Sequence, residues 1–122
     1  MKELIKEYPK LLFEREGSVA YLTLNDPENK NPVTVEIMED LCECLNYCER
    51  EDDIRAIVIR GAGGSFSAGG NVKAMKERLD KGINASREGI RAGGEFIMRL
   101  RNIPKPTIAY IEGAAAGVGM SI

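Results

Sequence analysis

One stretch, from residue 56 to residue 72, restricts the fold more than any other part of this 122-residue chain. It begins with an apolar, mostly β-branched run at residues 56–59, which predicts a strand covered on both faces. Five glycines follow within residues 61–70, as expected where the chain needs positive φ or a close approach to another group. Asn71 then predicts the cap of a helix that begins at Val72. The free backbone N–H groups at such a helix start can hold negative charge.

A second stretch repeats this pattern near residue 122. Residues 107–111 predict another buried strand, and a run of small residues follows at 113–119. Because each turn follows the carboxyl end of a strand, the N–H groups of both can converge on one carbonyl oxygen as an oxyanion hole. Two tight turns without chemistry are the alternative, since glycine patterns alone are weak signals. A dinucleotide site is disfavoured, because Phe66 occupies the place of the third glycine in G-x-G-x-x-G.

The residues before this stretch predict a hairpin and a helix. Residues 11–16 and 19–24 predict two strands joined by a turn at Gly17-Ser18, and a loop with two prolines follows at 25–32. Thr34 predicts the cap of the next helix. The apolar residues at helical spacing predict its buried face: Ile37, Leu41, Cys44, Leu45 and Cys48.

Two helices are predicted after the glycine-rich turn. The first runs from Asn71 to about residue 79. The second spans residues 85–102, with Ile90, Ile97 and Leu100 on one face and with Gly93-Gly94 permitting close packing or a bend. Pro104-Lys105-Pro106 ends the second helix.

The composition of the 122-residue sequence excludes several classes of function. The chain contains no histidine, which removes Ser-His-Asp and Cys-His catalysis and most zinc chemistry. Its net charge of −2 provides no basic field for nucleic acid, and no apolar run approaches the length of a membrane helix. The three cysteines do not have zinc spacing, so no metal site is predicted, and their odd number favours packing in a reduced cytoplasmic compartment.

Three blocks of the sequence resemble the crotonase family, which comprises enoyl-CoA hydratases and isomerases. Residues 66–75 resemble the family's F-[SC]-A-G-x-D-[LVI] block, and residues 27–33 resemble its P-x-x-x-N-A-[LM] loop. Residues 105–119 resemble its K-P-[VT]-I-A-x-[IV]-x-G-x-[AC]-x-G-[GA]-G block. The blocks occur in the family's order, and the resemblance covers the chain from about Leu11 onwards.

The resemblance implies an α/β fold, a crotonase-like spiral of ββα units, of which residues 1–122 form the N-terminal part. It implies an acyl-CoA thioester as substrate, with no cofactor besides the coenzyme A that enters with it. The backbone N–H groups of Ala68 and Val118 match the oxyanion-hole donors. The residues that the resemblance places in the CoA pocket are Lys30, Asn31, Val33, Ser67, Ala68, Gly69, Gly70, Asn71, Val72 and Gly117. A lysine that is only solvated is the alternative for Lys30.

The sequence departs from the family pattern at two positions. Asn71 replaces the usual aspartate, which matters little because both residues cap helices. Ser121 stands where the hydratases carry the first of two catalytic glutamates, which act as general acid and base. Hydration, isomerisation and hydrolysis therefore all stay open.

By the same resemblance, the second acid and the helices that form family trimers or hexamers would lie beyond Ile122. The 122 residues alone are therefore expected to be inactive. A non-catalytic CoA-binding or oligomer-forming module is the alternative function.

Overall fold

The computed structural model describes residues 2–64 and 83–110, which form one five-stranded sheet and two long helices. The strands, in their order across the sheet, are β1 (Glu3–Tyr8), β2 (Leu11–Glu16), β3 (Val19–Leu24), β4 (Ala56–Gly61) and β5 (Thr107–Tyr110). The helices are α1 (Val35–Arg50) and α2 (Ile83–Asn102), and a short 3-10 turn occupies Pro27–Asn29. The helix predicted from Asn71 and the turn predicted after residue 111 lie outside the described residues.

The sheet is antiparallel on one side and parallel on the other. β1 pairs with β2 and β2 with β3 in antiparallel register, whereas β4 pairs in parallel with both β3 and β5. The predicted hairpin of β2 and β3 is confirmed, with Gly17 at φ +60° in its turn. The sequence does not predict β1, because half of its six residues are charged and a register shift between Leu4 and Lys6 interrupts its alternation.

Helix α1 begins and packs as the sequence predicts. The Ile37 N–H donates to Thr34 Oγ1 at 3.2 Å, which satisfies one free donor of the first turn. All five residues of the predicted face are buried, together with Met38. Burial raises the pKa of the Cys44 thiol to about 12 and that of Cys48 to about 11. Both cysteines therefore pack as neutral, weakly polar groups in the core, as predicted.

Helix α2 has the predicted apolar face in part, since Ile97 and Leu100 pack against the core and Ile90 does not. It starts at Ile83, two residues earlier than predicted, and it ends before Pro104 as predicted. Phe96 is fully buried, whereas Ile90 is 76% exposed. Ile90 lies six residues from Phe96, about two thirds of a turn around the helix, so the two side chains cannot share a face. The prediction for Ile90 is therefore wrong.

The glycine pair of α2 does not have the predicted role in close packing. A Cβ at Gly93 would lie 3.8 Å from Met38 Sδ, which is an ordinary contact, and one at Gly94 would meet nothing. The contact between the helices instead includes the Arg99 guanidinium, which donates to Asn46 Oδ1 at 2.8 Å and pairs with Glu49.

The core lies between the helices and one face of the sheet. Ile57 and Ile59 of β4 are fully buried in it, whereas Val58 between them is half-buried. On β5, Ile108 is 55% exposed. The predicted burial of both faces is therefore met only in part at Val58 of β4, and it is wrong at Ile108 of β5.

Lys105 joins the segment before β5 to the C-terminus of α1. Its ammonium group donates to the backbone carbonyls of Cys48 and Glu51, the second at 2.7 Å. Carbonyls at a helix C-terminus lack partners within the helix and carry partial negative charge. Lys105 therefore stabilises the end of α1 and fixes the approach to β5 at the same time.

We expect Lys105→Met to lower the free energy of unfolding of the intact protein, meaning this chain with any sequence that continues beyond residue 122. The expected loss is about 1–3 kcal/mol, because two partly buried carbonyls lose a charged donor. Chemical denaturation measures this change. Lys10→Met is the matched control, since Lys10 is a half-exposed surface lysine 3.5 Å from Asp26, and it should change the value by less than about 0.5 kcal/mol. Equal effects of the two substitutions would contradict the role of Lys105.

Candidate functional site

The candidate site begins where β3 and β4 end. The two strands are parallel, with Leu24 opposite Gly61, so both chains leave the sheet at the same edge. The Ala62 N–H donates to the Leu24 carbonyl at 2.8 Å and extends the pairing by one residue. The loop at residues 25–34 and the turn at residues 62–64 therefore start side by side.

Asn31 connects this loop to this turn. Its side chain is 1% exposed, and its backbone is left-handed at φ +52°. The Asp26 N–H donates to Asn31 Oδ1 at 2.8 Å, and Asn31 Nδ2 donates to the Ala62 carbonyl at 2.8 Å. One amide thus closes its own loop and reaches the chain 31 residues away.

Two glycines shape the turn itself. Gly63 has φ +76° and Gly64 has φ +81°. Residues other than glycine, asparagine and aspartate rarely adopt this backbone conformation. A Cβ at Gly63 would lie 2.4 Å from Pro27 Cβ, whereas a Cβ at Gly64 would meet nothing. The prediction that this turn needs positive φ and close approach is confirmed at Gly63, and positive φ alone is confirmed at Gly64.

Polar contacts also fix the loop internally. Asn29 Nδ2 donates to both Asp26 carboxylate oxygens, at 3.0 and 3.2 Å, and Lys10 lies 3.5 Å from the same group. A depression of about 470 Å³ on this side of the loop includes Glu36 and Asp40 in its lining. Burial is the main cause that raises the pKa of Asp40, and the negative charge of the neighbouring Glu43 raises it further. The lining contains three acidic residues and Lys10 but not Lys30, so this depression does not favour the phosphates of a nucleotide.

The described part of the predicted site lies in this loop. Lys30 is exposed at φ +59°, Asn31 is buried, and Val33 is 3% exposed. The other predicted residues lie outside the described ranges: Ser67, Ala68, Gly69, Gly70, Asn71, Val72, Gly117, Val118 and Ser121. Sequence reasoning missed the contact of Pro27 with Gly63, although a rigid proline and a flexible glycine after neighbouring strands were its visible signal.

Two classes of feature are absent from residues 2–64 and 83–110. No group of acidic or cysteine side chains in these ranges is arranged to bind a metal ion. Neither α1 nor α2 combines the length and the apolar sequence that crossing a bilayer requires.

Comparison with known proteins identifies the family. The model of the enoyl-CoA hydratase/isomerase family matches residues 14–122, which is most of the chain. The chain belongs to this family. The crotonase resemblance of the three sequence blocks is thereby confirmed.

Curated relatives and solved structures of the family agree with this assignment. The chain is 37% identical to a probable enoyl-CoA hydratase of Bacillus subtilis, over 85% of this chain and 39% of the relative. It is 36% identical to the 1,2-epoxyphenylacetyl-CoA isomerase of Escherichia coli, over 92% of this chain and 43% of the relative. An enoyl-CoA hydratase/isomerase structure from Xanthobacter autotrophicus matches with a TM-score of 0.88 at 33% identity, over 94% of this chain and 43% of that one.

The match to solved structures confirms the α/β fold of the crotonase type. The chain spans about two fifths of the length of these curated relatives, which agrees with an N-terminal part of the family fold.

The Gly63 contact leads to a stability prediction. We expect Gly63→Ala to destabilise the intact protein by about 3 kcal/mol or more, because a left-handed alanine and an overpacked contact add together. Gly64→Ala is the matched control and should cost about 1–2 kcal/mol, since it changes only the backbone preference. Denaturant titration measures both values.

A double substitution tests whether the Pro27 contact causes the extra cost of Gly63→Ala. Pro27→Gly removes the atom that the new Cβ would strike, so the two substitutions together should cost less than the sum of the single ones. Strict additivity would show that the Pro27 contact does not make Gly63 necessary.

Proposed function

We propose that the intact protein is an acyl-CoA enzyme of the hydratase/isomerase type, which stabilises a thioester enolate with the backbone N–H groups of Ala68 and Val118. The observation that carries this proposal is the position of β4, which pairs in parallel with both β3 and β5. The two motif turns follow β4 and β5, neighbouring strands about 4.8 Å apart. This arrangement supports a common site for the turns at one edge of the sheet.

The chemistry requires donors at the oxygen that becomes negative. When a proton leaves the α-carbon of a thioester, charge moves to the carbonyl oxygen, and N–H groups already aimed there stabilise it without reorganising. Removal of one such donor typically costs about 3–4 kcal/mol of the barrier. The carboxylates that move protons would come from sequence beyond residue 122.

The loop at residues 25–34 would form one wall of the CoA pocket. Lys30 is exposed there and carries the positive charge that an anionic nucleotide end attracts. We include Ser67 to Val72 and Gly117 in the same pocket, and we assign Asn31 and Val33 to its wall as buried residues. The proposal requires no cofactor besides the CoA of the substrate.

The proposal extends to assembly and location. We propose a homo-oligomer, a trimer or hexamer, as implied by the family resemblance. We also propose a cytoplasmic location, on the basis of the odd number of cysteines in the sequence.

The backbone donor at residue 68 can be tested by a proline substitution. In the intact protein, Ala68→Pro removes the N–H group and should lower kcat about 10²- to 10³-fold with the substrate that the wild type turns over best. Ala68→Gly is the matched control, because it keeps the N–H group and should retain most activity. Circular dichroism of both variants verifies folding. A proline variant that folds and keeps its full kcat would contradict the proposal.

A second candidate function is a non-catalytic module that binds CoA or forms oligomers. Ser121 favours it, because a serine cannot replace a carboxylate as general base in the hydration of a double bond. The module would retain the pocket and lose the turnover.

Restoring the carboxylate distinguishes the two candidates. If the intact protein is an enzyme, Ser121→Glu should raise the hydration of crotonyl-CoA about tenfold or more over Ser121→Ala, which adds no acid. Loss of the enoyl absorbance measures the rate, and calorimetry measures binding. Heat of binding without turnover of any acyl-CoA in all three proteins would favour the module.

A further inference from the structure

We infer that Asn31 is a positioning residue, whose buried amide holds the turn at residues 62–64 against the loop at residues 25–34. It thereby sets the point from which the chain enters the motif segment 65–72. This inference rests on the proposed function in one respect, since its effect on catalysis requires that segment to bind acyl-CoA. The contact of Asn31 with Ala62 does not depend on that function.

The chemistry of the site requires an amide. Asn31 accepts from the Asp26 N–H with one atom and donates to the Ala62 carbonyl with the other. An aspartate would keep the acceptor but would set a carboxylate against the Ala62 carbonyl oxygen, where two acceptors repel. Aliphatic residues would leave both buried backbone groups without this partner. The left-handed backbone at φ +52° also favours asparagine or glycine over other residues.

Three contacts hold the turn at residues 62–64, and each of them fixes a different feature of it. The bond from the Ala62 N–H to Leu24 continues the sheet and holds the start of the turn. The packing of Gly63 on Pro27 limits how closely the loop and the turn approach. Asn31 supplies the directional bond between them, so its loss should reorient the turn without unfolding the sheet. A displacement of about 1 Å at a catalytic group can cost about 10²-fold in rate.

Burial argues against direct contact of the Asn31 side chain with a ligand. Only 1% of this residue is exposed, and both ends of its amide are bonded to protein atoms. The neighbouring Lys30 is exposed and better placed for such contact. Asn31 would therefore contribute to a CoA site by holding the loop and the turn in register.

The test compares Asn31→Gly and Asn31→Asp with Asn102→Asp in the intact protein. Glycine preserves the left-handed backbone and removes the amide, whereas aspartate preserves the shape and removes the donor. Asn102→Asp introduces the same charge at an exposed side chain at the end of α2, outside the loop at residues 25–34 and the turn at residues 62–64. Two readouts are measured: the kcat and KM for the preferred acyl-CoA, and amide hydrogen exchange at residues 62–64.

Both Asn31 variants should lower kcat about 10- to 100-fold while KM changes less than about threefold, and exchange at residues 62–64 should accelerate. The Asn102 control should stay within about twofold of the wild type in each readout. A higher KM at unchanged kcat would show direct contact with the ligand and would overturn the inference. Unchanged exchange in both Asn31 variants would also overturn it.

Failure of the proposed function and failure of the inference about Asn31 give different experimental results. If the wild type turns over no acyl-CoA, the enzyme proposal fails, and hydrogen exchange at residues 62–64 still decides whether Asn31 holds the turn. If the wild type is active and both Asn31 variants match it, the inference fails and the enzyme proposal stands.

Discussion

The parallel pairing of β4 with its two neighbours is the constraint on which the rest of this structure depends. Two parallel strands cannot be joined by a tight turn, so each connection crosses back over the sheet, and α1 and α2 lie in those connections. Helix α1 packs on one face of the sheet, α2 packs against α1, and both contribute to the core. The same pairing brings the carboxyl ends of three strands to one edge, where loops have room to carry function.

Unusual backbone geometry is concentrated at that edge. Among the described residues, all positive-φ positions except Gly17 lie in the loop after β3 or in the turn after β4. Such positions persist when surrounding contacts fix them, and they cluster at functional sites. Here the fixing contacts are the Asn31 amide and the packing of Pro27 on Gly63. The sheet therefore determines where the loop after β3 and the turn after β4 lie, and a few polar and steric contacts determine how they are oriented.

Local signals in the sequence predicted the elements whose causes are local. The cap at Thr34 and the hairpin turn at Gly17 depend on neighbours a few residues away, and the structure has both. The exposure of Ile90 and of Ile108 depends on what packs against them from distant segments. Helical periodicity therefore misjudged Ile90, and the apolar run misjudged Ile108. The role of Asn31 could not be predicted, because its partner Ala62 is separated by a whole helix and strand. Motif resemblance reached further, since it identified the family.

A crystal structure of the intact protein with a non-reactive acyl-CoA analogue, in which an amide replaces the thioester and keeps the carbonyl oxygen, tests the central claim most directly. The account predicts the acyl oxygen within about 3 Å of the backbone nitrogens of residues 68 and 118, with both N–H groups pointing at it. It also predicts the nucleotide end beside Lys30. An analogue bound elsewhere, or amides at 68 and 118 directed away from its acyl oxygen, would contradict the account.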